Sequence, residues 1–222
     1  MSEERAGGTA SESSRGASGR ARLGVLISGR GSNLAALLEA ARQPGYPARV
    51  EVVVSNEPAA AGLCRAREAG VSAVVVDHRA YRTRQAHERA LVAALREHGV
   101  EWVCLAGYQR ILRGPLLEAF PRRVLNIHPA LLPAFPGTHA QRQALEYGVR
   151  VSGCTVHFVD SGVDTGPIIL QAAVPVEPDD TEQKLSERIL REEHRLYPQA
   201  VALAVSGRLR LEGRQVEILP ES

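Results

Sequence analysis

Between Leu23 and His128 the chain alternates short apolar runs with longer helical stretches, and few folds accept that pattern. Leu23 to Ser28 is apolar throughout its core, as a strand buried on both faces must be. A helix is expected from Leu34 to Ala41, stopped near Pro44, and a second strand from Val50 to Ser55. A helix from Ala59 to Ala69, closed by Gly70, leads to a third strand at Ala73 to Val76. Tyr81 to His98 reads as a helix ended by Gly99, followed by strands at Val100 to Leu105 and Val124 to His128. Strand–helix alternation at this spacing predicts an α/β fold with a doubly wound, mostly parallel sheet and right-handed crossovers. After His139 the pattern changes to a C-terminal antiparallel extension. It has a short helix from His139 to Tyr147, then strands at Val151 to Val159 and Ile168 to Val176. Asp180, with Gln183 three residues on, is the expected capping box of a helix running to about Val205. Leu209 to Leu211 and Gln215 to Ile218 suggest a closing hairpin around Gly213.

In front of this pattern, Met1 to Ala21 contains no Val, Ile, Leu, Phe, Tyr or Trp. Such a segment cannot bury enough surface to offset its ordering entropy, so residues 1–21 are expected to be a disordered tail and 22–222 a single domain. The tail has no apolar core of a secretory signal, and no run approaches the ~18 apolar residues of a membrane span. A formal charge of +2 and the absence of a basic stripe argue against a nucleic-acid partner. Cys64, Cys104 and Cys154 are far apart and odd in number, so reduced thiols and a cytoplasmic location are expected. Lys184 is the one lysine, in a charged helical stretch, so a Schiff-base mechanism would have only that residue to use.

Chemistry concentrates at the ends of the parallel strands. Asn126 and His128 lie two apart on a strand, so they project to the same face, and Pro129 stops the strand just beyond them. That is where open α/β sheets bind ligands. The competing reading is a histidine satisfied by a loop carbonyl and an asparagine making a turn. Gly29-Arg30-Gly31-Ser32-Asn33 joins the first strand to a helix N-terminus and is suited to an anion. Leu34 stands where a dinucleotide fingerprint wants glycine, and no Gly-Lys-Ser/Thr follows, so a terminal phosphate of a small substrate fits better than ATP or a pyrophosphate. An ordinary tight turn is the alternative. Gly107-Tyr108-Gln109-Arg110-Ile111-Leu112 is a further strand-end loop whose Ile111 and Leu112 could wall a pocket for a flat ligand. Asp164, in a Gly-rich loop, could orient a histidine or merely make a turn. His139, His157 and His194 complete the candidates. His157, between Val156 and Phe158, reads as a satisfied core or edge residue, and His194 as part of a polar helix face. No pair has metal-ligand spacing, so no metal is expected.

Taken together these stretches resemble the folate-dependent glycinamide ribonucleotide formyltransferases of purine biosynthesis. The pieces are Ile27 to Leu34, Leu105 to Leu112, Leu125 to Pro133, Phe135-Pro136-Gly137-Thr138-His139, and Val156 to Pro167 by way of Asp164-Thr165-Gly166, in order and at matching intervals. The resemblance implies a Rossmann-like fold and transfer of a formyl group from 10-formyltetrahydrofolate, as cosubstrate, to the amine of 5-phosphoribosylglycinamide. Asn126, His128 and Asp164 match the family's catalytic trio, and Gly31, Ser32 and Asn33 its phosphate loop. Glu193 matches an acidic residue that contacts the glycinamide. Arg84, Gln109, Arg110, Ile111, Leu112, Asn126, Asp160, Ser161, Gly162, Val163 and Asp164 match folate-side positions. Three positions depart from the family: Gln109 replaces its usual Met, Ala130 its Ser and Thr138 its Leu. Gln109 makes the folate wall more polar.

The implied chemistry is direct attack of the amine on the formyl carbon, through a tetrahedral oxyanion to which Asn126 and a protonated His128 donate, with Asp164 favouring the charged ring. Small-molecule partners and a monomer or homodimer are expected. Formyltetrahydrofolate hydrolases carry an extra N-terminal regulatory domain, for which the tail is too short and polar. Methionyl-tRNA formyltransferases add a C-terminal β domain and a basic surface. Sugar-nucleotide formyltransferases share the trio, but the Gly31-Ser32-Asn33 loop favours a phosphoribosyl substrate. A silent nucleotide-binding module would have no use for the complete trio.

Overall fold

The computed structural model describes residues 19–221. The 1–21 tail therefore lies mostly outside the described residues, and Ala21 already belongs to the first strand. Five strands form the parallel part of one sheet: β1 (Ala21–Ile27), β2 (Ala48–Ser55), β3 (Ser72–Val75), β4 (Trp102–Leu105) and β5 (Val124–His128). Two more, β6 (Val151–Phe158) and β7 (Ile168–Pro175), extend it antiparallel. The spatial order is β3-β2-β1-β4-β5-β6-β7, so the direction of winding reverses between β1 and β4. The hairpin β8 (Leu209–Glu212) and β9 (Gln215–Ile218) stands apart as a two-stranded sheet.

Strand residues alternate between two cores because successive side chains point to opposite faces. Val25, Ile27, Val53 and Cys104 enter a core with α1 (Ser32–Arg42), α2 (Gly62–Glu68), α5 (Ala140–Tyr147) and α6 (Glu182–Val205). Leu26, Val52, Val54, Val103 and Leu105 enter the other, with α3 (Arg84–Glu97) and α4 (Pro115–Ala119). Both faces are covered, which is why these strands read as continuous apolar runs rather than alternating ones.

Several boundaries differ from expectation for identifiable reasons. Helix α3 starts at Arg84 rather than Tyr81, because Thr83 Oγ1 accepts from Ala86 N at 3.1 Å while His78–Ala80 forms a separate 3-10 turn. Pro58 to Ala61 turns instead of joining α2. Helix α4 was not foreseen: five residues opened by Pro115 carry no periodicity to read. At α6 the expected capping box of Asp180 and Gln183 does not form. Thr181 Oγ1 caps Lys184 N at 3.2 Å, Asp180 holds Arg188 at 2.7 and 2.9 Å, and Gln183 turns to Glu187. Among the described residues no helix is long and apolar enough to cross a membrane.

Candidate active site

The carboxyl ends of β1, β4 and β5 converge on one edge, and there β5 presents Asn126 and His128 side by side. Because β6 runs antiparallel beside β5, His157 falls directly opposite Asn126 in the ladder. The β6–β7 loop then doubles back over this pair. Its return is so tight at Gly166 that a Cβ there would lie 1.7 Å from the Phe158 carbonyl oxygen, and Asp164 adopts a left-handed backbone with φ of 53°. Asp164 thereby reaches both members of the strand pair. Its Oδ1 accepts from Asn126 Nδ2 at 3.4 Å, and its Oδ2 lies 3.4 Å from His128 Nδ1. Gly137 N fixes the carboxylate from a third side at 2.8 Å.

Each donor in this cluster is engaged within the protein. His128 Nε2–H donates to the Phe135 carbonyl at 2.8 Å, so the loop-carbonyl reading of His128 holds alongside the functional one. His157 Nδ1–H donates to the Phe158 carbonyl at 2.8 Å, which leaves Nε2 as the acceptor for Asn126 Nδ2 at 3.1 Å. His157 thus belongs to the cluster rather than being a mere core residue. Burial pushes the His128 ring below its ordinary value, and outweighs the upward pull of the Asp164 charge and the Phe135 carbonyl. The resting ring is therefore neutral at pH 7, not the imidazolium expected. Burial pushes the Asp164 carboxyl up, but the neighbouring His157 and His128 rings and the Gly137 N–H together hold it below the usual range. Asp164 is ionised throughout the neutral range.

In front of the cluster opens a cavity of about 520 Å³. Its wall includes Gln109, Arg110, Ile111, Leu112, Asn126, His128, Asp160, Gly162, Val163 and Asp164. His139, left-handed at φ 58°, and His157 also face it. Ser161 and Arg84 are exposed and do not line it. The volume suits a ligand of several rings. Tyr108 OH and Arg110 Nε are buried at this wall without a hydrogen-bond partner, and the wall combines aliphatic side chains with a carboxylate and amide. Those features fit a flat, polar-edged heterocycle such as a pteridine. Gln109 is exposed at the cavity wall, while Ala130 is fully buried with its carbonyl taken by Thr155 Oγ1 at 2.7 Å.

The glycine-rich loop lies at the neighbouring strand end. Gly31 is the N-cap of α1 at φ 71°, and a Cβ on it would stand 2.8 Å from Gly62 Cα, so only glycine allows this loop to sit against α2. Ser32 and Asn33 open α1, whose first-turn N–H groups have no intrahelical acceptor and suit an anion. Asn33 Nδ2 donates to Glu193 Oε2 at 2.8 Å across 160 residues, joining two positions singled out separately. Asn33 Oδ1 is buried without a partner. Burial pushes the Glu193 carboxyl up, and the Asn33 bond only partly opposes it.

The remaining candidates take other places. Lys184 is exposed and ion-paired with Asp179 at 2.6 Å. His194 stands next to Glu193 in α6, with its Nε2 buried and unpartnered and burial pushing its ring down. Burial pushes the Cys104 and Cys154 thiols up to about 12, which leaves them protonated and unreactive at neutral pH. Among the described residues no three His, Cys, Asp or Glu side chains cluster as a metal site.

Comparison with known proteins agrees with this edge. The formyl transferase profile matches residues 21–201. The chain is 48% identical over 192 residues to the trifunctional purine biosynthetic protein adenosine-3 of Homo sapiens, covering 86% of this chain but 19% of that protein. The chain thus spans less than a fifth of that relative's length. It is 42% identical over 187 residues to the phosphoribosylglycinamide formyltransferase of Escherichia coli (strain K12), covering 84% of this chain and 88% of that one. The crystal structure of glycinamide ribonucleotide transformylase 1 from Symbiobacterium toebii superposes with a TM-score of 0.90 at 57% identity, covering 95% of this chain and all of that one. With the mostly parallel sheet, the strand-end cluster and a family match over most of its length, this chain belongs to the formyl transferase family.

Proposed function

We propose that the protein transfers the formyl group of 10-formyltetrahydrofolate to the amine of 5-phosphoribosylglycinamide, as the names of its relatives suggest. The observation that carries the chemistry is Asp164 touching both Asn126 and His128 at the mouth of the cavity. The cosubstrate supplies an electrophilic formyl carbon whose oxygen gains negative charge as an amine adds. The residues of this chain then have separable tasks. Neutral His128 accepts, at the Nδ1 left free by the Nε2–H bond to Phe135, the proton that the attacking nitrogen must lose; Asp164, 3.4 Å from that atom, stabilises the imidazolium so formed, and the proton is returned to the folate nitrogen as its bond to the formyl carbon breaks. Asn126 Nδ2 is the donor beside His128. Its contact to Asp164 is the longer of its two, so that N–H is the one free to turn toward a developing oxyanion. Ser32, Asn33 and the start of α1 hold the phosphate, and Glu193 takes the glycinamide end. Gln109 to Leu112, Asp160 and Gly162 to Asp164 hold the pteridine, and Arg84 and Ser161, which do not line the cavity, serve the outer part of the folate. We read 22–222 as one functional unit, working in the cytoplasm on small molecules as a monomer or homodimer, with no nucleic-acid or metal requirement.

The test is deformylation of 10-formyltetrahydrofolate followed by absorbance, with and without 5-phosphoribosylglycinamide. Product that depends on the glycinamide supports the transferase. Product without any acceptor would make the protein a hydrolase, and no product in either case would sink this reading.

A further inference from the structure

The cavity-lining loop from Gly107 to Gly114 has little means of holding its own shape. Among the described residues no backbone group from Tyr108 to Leu112 bonds to another backbone group in a turn or loop. Leu112 is buried in the core, whereas Ile111 is exposed and Arg110 half-buried along the cavity wall. The loop is instead gripped at both ends by side chains that come from outside it.

At the first end, Ser28 Oγ accepts from Gln109 N at 2.9 Å. The hydroxyl can do so because its proton is committed elsewhere, to Asn56 Oδ1 at 2.6 Å. Asn56 is itself buried, and its amide and carbonyl lie 3.3 and 3.2 Å from His78 Nδ1. The direction of the hydroxyl is therefore set by a chain of fixed groups, and a lone pair is left facing the loop. At the second end, the Glu88 carboxylate reaches from α3 and accepts from Arg113 N at 2.9 Å and Leu116 N at 3.4 Å. Glu88 is 1% exposed, and no Arg, Lys or His pairs with it among the described residues. Gly114, the N-cap of α4, has no side chain to do this work. A buried carboxylate without an ion-pair partner is costly, and packing alone would be served better by leucine. Its cost is understandable if the bonds it makes are what hold the loop.

We propose that Ser28 and Glu88 are positioning residues for the formyl donor, two clamps that hold the Gln109–Arg113 backbone in the shape the donor's ring system meets. The proposal rests on the formyl-transfer reading above, but the clamps themselves are testable without it. Neither residue lines the cavity, so neither touches the ligand.

The experiment compares Ser28→Ala, Ser28→Thr, Glu88→Leu and Glu88→Gln with the parent protein in two ways. In steady-state kinetics, Ser28→Ala and Glu88→Leu, which removes both acceptor oxygens where Glu88→Gln keeps one, are expected to raise KM for 10-formyltetrahydrofolate about 5–30-fold, the factor that one or two kcal/mol corresponds to. Glu88→Gln, whose amide oxygen can still accept from Arg113 N, should fall between Glu88→Leu and the parent. KM for 5-phosphoribosylglycinamide and kcat should stay within about twofold, since only the anchoring of one loop is lost. Ser28→Thr keeps the hydroxyl and should restore most of the affinity. In native-state hydrogen exchange, the amides of Gln109 in Ser28→Ala and of Arg113 in Glu88→Leu should exchange faster, while Cys104 and Leu105 in β4 stay protected. If Glu88→Leu does not fold, the Ser28 pair decides. Equal rises in both KM values, or unchanged exchange at Gln109 and Arg113, would overturn the clamps. If the parent protein fails to transfer formyl groups, the functional reading falls, and the exchange result alone judges the clamps.

Discussion

At the scale of single residues, the candidate site is a set of donors that are all spoken for at rest. Substitution of Asn126 by alanine is expected to lower kcat by about 10²–10³-fold, as loss of one oxyanion donor does, and His128→Ala by about 10²–10⁴-fold, as loss of a general base does. KM should change far less; a rise in KM with kcat intact would reassign these residues to binding. Asp164→Asn separates charge from shape. The Asp164 charge raises the His128 ring against the burial that lowers it, so the amide variant leaves only the Phe135 carbonyl to oppose burial and the ring falls further. If activity needs the neutral ring first, the acid limb of the kcat/KM profile moves to lower pH. The maximum falls too, because the imidazolium loses its counterion. An acid limb that stays in place would detach the profile from His128. Strand periodicity and family resemblance both mark Asn126 and His128 in the sequence, whereas Asp164, in a loop that could equally make a turn, is marked by the resemblance alone. His157 was not legible, since nothing in Val156-His157-Phe158 says which residue of another strand it will face. Nor does any local pattern reveal that burial would outweigh Asp164 at His128, because that balance depends on packing from three elements.

At the scale of elements, register and loop shape carry the function. The strands and long helices of the sheet were readable from apolar periodicity, and so was the antiparallel extension. Starts of helices were less so. Capping is a competition among adjacent polar residues, and at α6 Thr181 won it while Asp180 took Arg188. Thr181→Ala should therefore cost about 1 kcal/mol of stability, the usual worth of an N-cap, read as a drop in the urea midpoint at unchanged m. Asp180→Ala would cost through the lost Arg188 pair instead, with the Thr181 cap intact, so Arg188→Ala on top of it should add little. The Gly29 to Asn33 loop makes a sharper case. Gly31→Ala introduces a Cβ 2.8 Å from Gly62 Cα, backbone against backbone, on a residue held at φ 71°. A strained left-handed residue costs about 1–3 kcal/mol, and the clash must shift the start of α1 as well. KM for the phosphoribosyl substrate should rise at least tenfold while the affinity of a folate analogue stays near its parent value. Equal loss of both would mean that the loop supports the whole edge rather than the phosphate.

At the scale of the whole molecule, the buried histidines set how stability responds to acid. Burial pushes the rings of His87, His128 and His194 below their ordinary value in the fold. Unfolding exposes them and returns them to about 6.5. Below that pH the unfolded chain binds more protons than the folded one at these three positions, so stability must fall as pH falls. The contribution is complete above about pH 6.5 and is lost on the way down to the depressed values. Glu193 works in the opposite direction. Its carboxyl is raised by burial, so the folded state binds the extra proton below the raised value, and folding gains there as pH falls. One raised carboxyl opposes three depressed rings. The carboxyls of Asp164 and Asp180, held low in the fold, add their losses only near and below their ordinary value of 3.8. Thermal unfolding followed by calorimetry should therefore show Tm constant from pH 8 to about 7 and declining from about 6.5 to 5. His87 offers the internal control. It is buried, gives its Nε2 to the Val76 carbonyl at 2.9 Å, and stands away from the cavity wall. His87→Gln keeps a donor for that carbonyl but cannot gain a proton, so it should flatten the decline without touching the pH profile of turnover. A Tm that is level from pH 7.5 to 5.5, or a slope that His87→Gln leaves as steep as before, would mean that these rings are not the groups that couple folding to protons.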